Sequence, residues 1–217
     1  MTAQQTLTEQ QEALARVASV QGRLTAHSIW SEQACRLHDD SFAAIVEARI
    51  PRLFLPTGLG GDEVNPMTCA AVCEEVAGSD TAAAWHIMVF NAAKLMAAKW
   101  PAELVEMLWA DNPDQLISAS GHTPLQGKRV ADGVEISGTQ RFVSGCNFAQ
   151  WIMSPVMMDG EMHNAVVAIE DCQLMDNWNT LGMRGSGSND VLIDHVIVPS
   201  LQVVPPALPE TPVNRYY

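Results

Sequence analysis

Thr180-Leu-Gly-Met-Arg-Gly-Ser-Gly-Ser-Asn-Asp-Val-Leu-Ile-Asp-His-Val-Ile-Val-Pro199 is a glycine-rich turn that runs straight into an alternating strand. Gly182, Gly185 and Gly187 let the backbone take positive φ and pass close to a ligand. Arg184, Ser186 and Ser188 set a charge and hydroxyls beside that path. From Val191 onward, Val191, Ile193, His195 and Ile197 alternate with Leu192, Asp194, Val196 and Val198, which predicts a strand. Pro199 cannot donate to a ladder and ends it.

Working back from this stretch, the chain divides near Pro113 into a helical part and a strand part. Strands are predicted over 116–120, 128–131, 134–143, 151–158, 163–169 and 189–198, with Asp132-Gly133 as the clearest hairpin turn. Six helices precede them. Residues 8–26 space Leu14, Val17, Val20 and Leu24 on one face, and a second helix runs over 28–37. Ser41 caps a third that Pro51 stops. Asn65 and Pro66 open the fourth, which ends near Gly78, and Ser79 or Asp80 caps an alanine-rich fifth helix over 82–98 that is apolar on most faces. Pro101 opens the last. Pro205, Pro206, Pro209 and Pro212 predict an extended tail. The expected division is a helical domain over 1–113 and a β-domain over 114–217.

Composition narrows the function. The 217 residues, 47% of them hydrophobic, suffice for a real core. A formal charge of −13 repels a phosphate backbone, which argues against nucleic acid. No apolar run approaches the roughly 20 residues that span a bilayer, and residues 1–11 lack a signal-peptide core, so a cytoplasmic location and no membrane partner are expected. Five cysteines form no Cys-x-x-Cys pair. Cys69 and Cys73 read as core rather than as a zinc site, and no metal is expected. His86, among Trp85, Met88 and Phe90, reads as a core histidine. Gly185-x-Gly187 precedes a strand rather than a helix, which excludes a Rossmann fingerprint.

The segment 180–199 resembles the Gly-Met-Arg-x-Ser-x-Ser run and following strand of the acyl-CoA dehydrogenase superfamily. Phe54-Leu-Pro-Thr-Gly-Leu-Gly-Gly61, Cys73-Glu-Glu-Val-Ala77 and Gly138-Thr-Gln-Arg-Phe-Val-Ser144 resemble further motifs of that family. The resemblance implies an α+β chain, with an N-terminal all-helical domain followed by a β-barrel-like or sandwich domain. Where the dehydrogenases carry Thr-Glu-Pro-x-x-Gly-Ser-Asp, this chain reads Ser118-Ala-Ser-Gly-His-Thr-Pro124. That loop, with Ser144-Gly-Cys-Asn-Phe-Ala-Gln-Trp151, is similar instead to the flavin-dependent hydroxylase branch, two-component aromatic monooxygenases fed with reduced flavin by a separate reductase.

What the resemblance implies for the site is specific. The cofactor is reduced FMN or FAD, held by Ser118, Ser120, Phe142, Val143, Ser144, Arg184, Gly185 and Ser186. His122 and Ser144 are the catalytic candidates: a neutral imidazole that takes or orients a phenolic proton, and a hydroxyl beside flavin N5. Phe142 packs against the ring, and Arg184 meets a phosphate or a subunit contact. The expected partners are an aromatic substrate, a flavin reductase, and further copies of the chain or a helical partner. Both branches continue into a C-terminal helical bundle that this sequence lacks, so a fragment, a truncated product or half of a split enzyme is expected. Two other functions stay open: an acyl thioester desaturase, and a non-catalytic truncated assembly partner.

Overall fold

The computed structural model describes residues 3–205. The tail expected at Pro206, Pro209 and Pro212 lies outside the described residues. Five α-helices come first: α1 (Ala3–Ala34), α2 (Asp39–Glu47), α3 (Pro66–Ala77), α4 (Thr81–Ala97) and α5 (Ala102–Trp109). The two helices expected over 8–26 and 28–37 are one, because neither Pro nor Gly separates them and Ser28 Oγ donates back to the Thr25 carbonyl at 3.1 Å. α2 starts ahead of its expected Ser41 cap. His38 takes that role, its Nδ1 accepting the Asp40 N–H at 3.0 Å, and Ser41 is buried inside the helix. Asn65 and Asp80 cap α3 and α4 as predicted, accepting from the Met67 and Ala83 amides.

α4 is buried on nearly every face, which its run of alanines and the absence of interior charge other than Lys94 allow. On one side Ala83, Ala84 and Ile87 meet Val17, Val20 and Leu24 of α1 and Val72 and Val76 of α3. Its other side packs on the sheet and the segments that flank it, through Phe90 against Leu116 and Ala149 just outside β1 and β4, and through Ala93 and Ala97 against Ile117 and Met153 within them. Ile87 and Phe90 are fully buried and each contributes on the order of 2 kcal/mol. His86 is buried too; its Nδ1–H donates to the Ala82 carbonyl at 2.7 Å, and burial pushes the imidazole down to about 4.

One mixed sheet of eight strands follows: β1 (Ile117–Ala119), β2 (Leu125–Val130), β3 (Gly133–Val143), β4 (Trp151–Met158), β5 (Glu161–Ala168), β6 (Gln173–Met175), β7 (Asn189–Val198) and β8 (Val203–Val204). The main order is β6-β7-β3-β2-β4-β5-β8. β4 and β7 keep the bounds the alternation predicts. β6 and β8, of three and two residues, are too short to carry a readable period. β1 and β2 both run parallel to β4 along one edge, Ile117 facing Trp151 and Leu125 facing Val156, so residues 120–124 loop out between two pieces of the same edge. The sheet closes over a core in which Ile136, Val143, Val191 and Ile193 of β3 and β7 pack with Ile152, Val156, Ala165 and Val167 of β4 and β5.

Candidate functional site

The site is set by a bulge. Along β3 and β7, Gln140 pairs with Val191 and Val143 with Asn189, leaving two residues of β3 opposite one of β7. Strict alternation would turn Phe142 inward with Gln140 and Val143 outward. The inserted residue reverses them. Phe142, held at φ 60, is 46% exposed, and Val143 is fully buried in the sheet core. Phe142 N–H donates to Asp190 Oδ1 at 3.3 Å, which pins the bulge.

Three rings and a guanidinium meet at this point. The His122 ring stands edge-on to Phe142 with centroids 5.5 Å apart, Trp178 does so at 6.1 Å, and the Arg141 guanidinium lies 4.9 Å from the Phe142 centroid. His122 reaches the ring from the 120–124 loop. Ser120 Oγ donates to the Arg141 carbonyl at 2.6 Å, and Gln140 Nε2 donates to the Thr123 carbonyl at 2.8 Å, so both ends of the loop are tied to the bulged strand. His122 Nδ1 lies 3.0 Å from Thr123 Oγ1. Ser118 Oγ and Gln140 Oε1 are buried without a partner among the described residues. Trp178 is fixed through Asn189 Oδ1, which accepts the Asn177 and Trp178 amides at 3.1 and 2.9 Å, and through its own Nε1–H to the Met183 carbonyl at 3.2 Å.

Ser144 follows the bulge and is buried. Its Oγ accepts from Trp85 Nε1–H of α4 at 2.9 Å and lies 2.7 Å from Ser188 Oγ, which lies 2.8 Å from Ser186 Oγ. The turn is held tightly: Gly145 N–H donates to the Ser186 carbonyl at 3.3 Å. Trp85 itself stays 41% exposed, so its indole borders the same region.

The structure thus brings Ser120, His122, Phe142 and Ser144 together, joins Ser186 to Ser144 through Ser188, buries Ser118 in β1 opposite Ile152, and sends Val143, Arg184 and Gly185 elsewhere. Val143 is core, for the reason given. Arg184 is spent on α1 and on its own loop: its Nε donates to the Glu32 carbonyl at 2.8 Å, its main-chain N–H to Glu32 Oε2 at 3.0 Å, and its Nη1 to Asn179 Oδ1 at 2.7 Å. Gly185 serves the same junction, since a Cβ there would stand 2.8 Å from Ala82 Cβ and 3.1 Å from Ser31 Cβ. Ser186 contributes through its hydroxyl to Ser188 and through its carbonyl to Gly145 N–H. Sequence reasoning missed Trp85, Trp178 and Asn189. Trp85 is hidden in a helix that reads as buried all round, and Trp178 sits between asparagines in a segment with no period.

No protein-family model matches the chain. Over 180 residues it is 29% identical to the flavin-dependent monooxygenase, oxygenase subunit HsaA, of Rhodococcus jostii, covering 80% of this chain and 47% of that protein. Over 212 residues it is 27% identical to the FADH(2)-dependent resorcinol hydroxylase, oxygenase component, of Rhizobium sp., covering 93% and 52%. The crystal structure of 3-HSA hydroxylase from Rhodococcus sp. RHA1 superposes with a TM-score of 0.81 at 28% identity, over 89% of this chain and 52% of that one. XiaF from Streptomyces sp., in complex with FADH2 and glycerol, shares the fold with a TM-score of 0.90 at 22% identity, over 94% and 53%. The chain spans about half the length of these relatives. Over about half of their length the chain is similar to the oxygenase components of flavin-dependent monooxygenases, and it has the acyl-CoA dehydrogenase-like fold.

Proposed function

We propose that this chain forms the helical and sheet side of a reduced-flavin site in the oxygenase component of a two-component monooxygenase that hydroxylates an aromatic substrate. The observation that carries the reading is the β3 bulge, which turns Phe142 out beside His122 and Trp178 and leaves Ser144 next to it. The residues fit a flavin: flat aromatic faces suit the ring, and Ser144 keeps one unused hydrogen-bonding position after Trp85 and Ser188 have taken two. Phe142 and Trp178 would hold the ring and exclude water, and Ser144 would meet its polar edge. Reduced FMN or FAD supplies the electrons that activate O2. His122, as a neutral imidazole, would accept or orient the phenolic proton of the substrate.

Arg184 is committed to α1, so Arg141 is the cation nearest the aromatic wall. A separate reductase would deliver the flavin, and a second copy or a helical partner would cover the half-exposed rings. The test is an anaerobic titration with reduced FMN and FAD, followed by admission of oxygen and a panel of phenols. Binding of reduced flavin, a hydroxylated phenol as product, and product loss of about 100-fold in His122→Ala are expected. Direct reduction of bound flavin by an acyl thioester, with no phenol hydroxylated, would establish a desaturase instead.

A further inference from the structure

We infer that Ser144, Ser188 and Ser186 form a reversible hydroxyl chain that lets Ser144 offer a bound flavin either its proton or a lone pair, with Ser188 as the positioning residue. The inference rests on the flavin reading above. Each hydroxyl has one donor and two acceptor positions. An indole N–H can only donate, so Trp85 occupies one lone pair of Ser144 at all times and fixes its oxygen, 2.9 Å away, without fixing its proton. Two arrangements then satisfy the 2.7 and 2.8 Å contacts. In the outward one, Ser186 donates to Ser188, Ser188 to Ser144, and Ser144 to the ligand. In the inward one, Ser144 donates to Ser188 and Ser188 to Ser186, whose own proton turns away from Ser188, and the open lone pair of Ser144 accepts from the ligand. No bond to hydrogen breaks in passing between them; three O–H bonds rotate, and the charge is unchanged.

A flavin needs both. The ring nitrogen that gains a proton on reduction is an acceptor in the oxidised form and a donor in the reduced form. A lone serine serves the oxidised form by donating to it, but with the reduced form the proton of a residue as buried as Ser144 would be left without a partner. Ser188, only 4% exposed, supplies that partner. The chain runs between the turn after β3 and the turn before β7, and Gly145 N–H to the Ser186 carbonyl clamps those turns together.

The test compares the wild-type chain with Ser188→Ala by anaerobic titration with oxidised and reduced flavin. Reduced flavin is expected to bind about 3- to 10-fold more weakly to Ser188→Ala, and oxidised flavin within about 2-fold of wild type. A purely structural defect would weaken both forms alike, and that result overturns the inference. Binding of neither form by the wild type overturns the flavin reading and the inference with it. In the flavin-free protein, the Trp85 indole N–H resonance is expected to move in Ser188→Ala, because the oxygen it donates to loses its neighbour; an unmoved resonance also overturns the chain.

Discussion

Replacing Gly145 with alanine tests how rigidly α4 backs the turn that carries Ser144. Two costs add. Gly145 has φ 76, where a Cβ costs about 1–2 kcal/mol, offset by about 0.4–1 kcal/mol from a less flexible unfolded chain. The new Cβ would also stand 2.7 and 2.9 Å from Phe90 Cζ and Cε1 and 3.2 Å from His86 Cδ2. Phe90 is fully buried and boxed by Phe42 and His86, with centroids at 6.5 and 5.8 Å, so it has no room to retreat, and overpacking adds about 1–3 kcal/mol. The sum is about 1–4.5 kcal/mol. Gly160 is the control. It has φ 81 in the β4–β5 turn with nothing within 4 Å of its Cβ position, so only the backbone cost of about 1 kcal/mol or less remains. Equilibrium urea unfolding, with a slope of about 3 kcal/mol/M, should lower the midpoint by about 1 M for Gly145→Ala and about 0.3 M for Gly160→Ala. Equal shifts would refute the argument, because they would mean that the Phe90 wall yields.

Lys94 makes stability depend on pH. It is buried, donates to the Pro51 and Pro113 carbonyls at 2.7 and 3.3 Å, and burial pushes its ammonium from 10.5 down to about 7. The unfolded chain keeps the ordinary value, so between about pH 7 and 10.5 it binds more protons than the folded one and stability rises with pH, by at most about 5 kcal/mol. Lys94→Met should flatten that rise, read as urea midpoints at about pH 7 and 10; an unchanged slope would exclude Lys94 as its source. Arg184→Ala removes the side-chain ties to the Glu32 carbonyl and Asn179, which should cost about 1.5–3 kcal/mol and raise amide exchange over residues 177–188 ahead of the rest of the chain. Phe142→Ala should change stability by less than about 1 kcal/mol, since the ring is half-exposed, and weaken flavin binding up to about 10-fold; the reverse pattern would make Phe142 a core residue.

The elements legible in the sequence are those with local causes. Asn65-Pro66 and Asp80 mark helix starts because a cap is chemistry within one turn, and the alternation of Val191 and Ile193 with Leu192 marks β7, although a register shift against Ile136 and Gly138 then breaks that alternation: His195, at φ 55, and Ile197 are exposed and Val198 is buried. The Ser41 cap failed because His38, three residues earlier, competes for the same role. The site was legible only in part, through motifs that place Phe142, Ser144 and His122 by resemblance. Its assembly was not. A one-residue insertion in β3 leaves no trace in a period of two, so the exchange of Phe142 and Val143 between faces appears only once β7 is alongside. Arg184 finds Glu32 across 152 positions, and Trp85 finds Ser144 across 59; no window along the chain contains either pair.

The split edge of β4 has a consequence for change over time. β1 and β2 each hold their own register on β4, so the sheet does not depend on the length of the segment 120–124 that joins them. Residues can be added or exchanged over 121–124 without displacing a ladder bond, Ser120 N–H keeping its donation to the Met153 carbonyl of β4, while such changes act on His122 and the face of Phe142. The ladder and the surroundings of Phe142 are thereby uncoupled: the segment tolerates substitutions that the strands on either side, held in register on β4, would not.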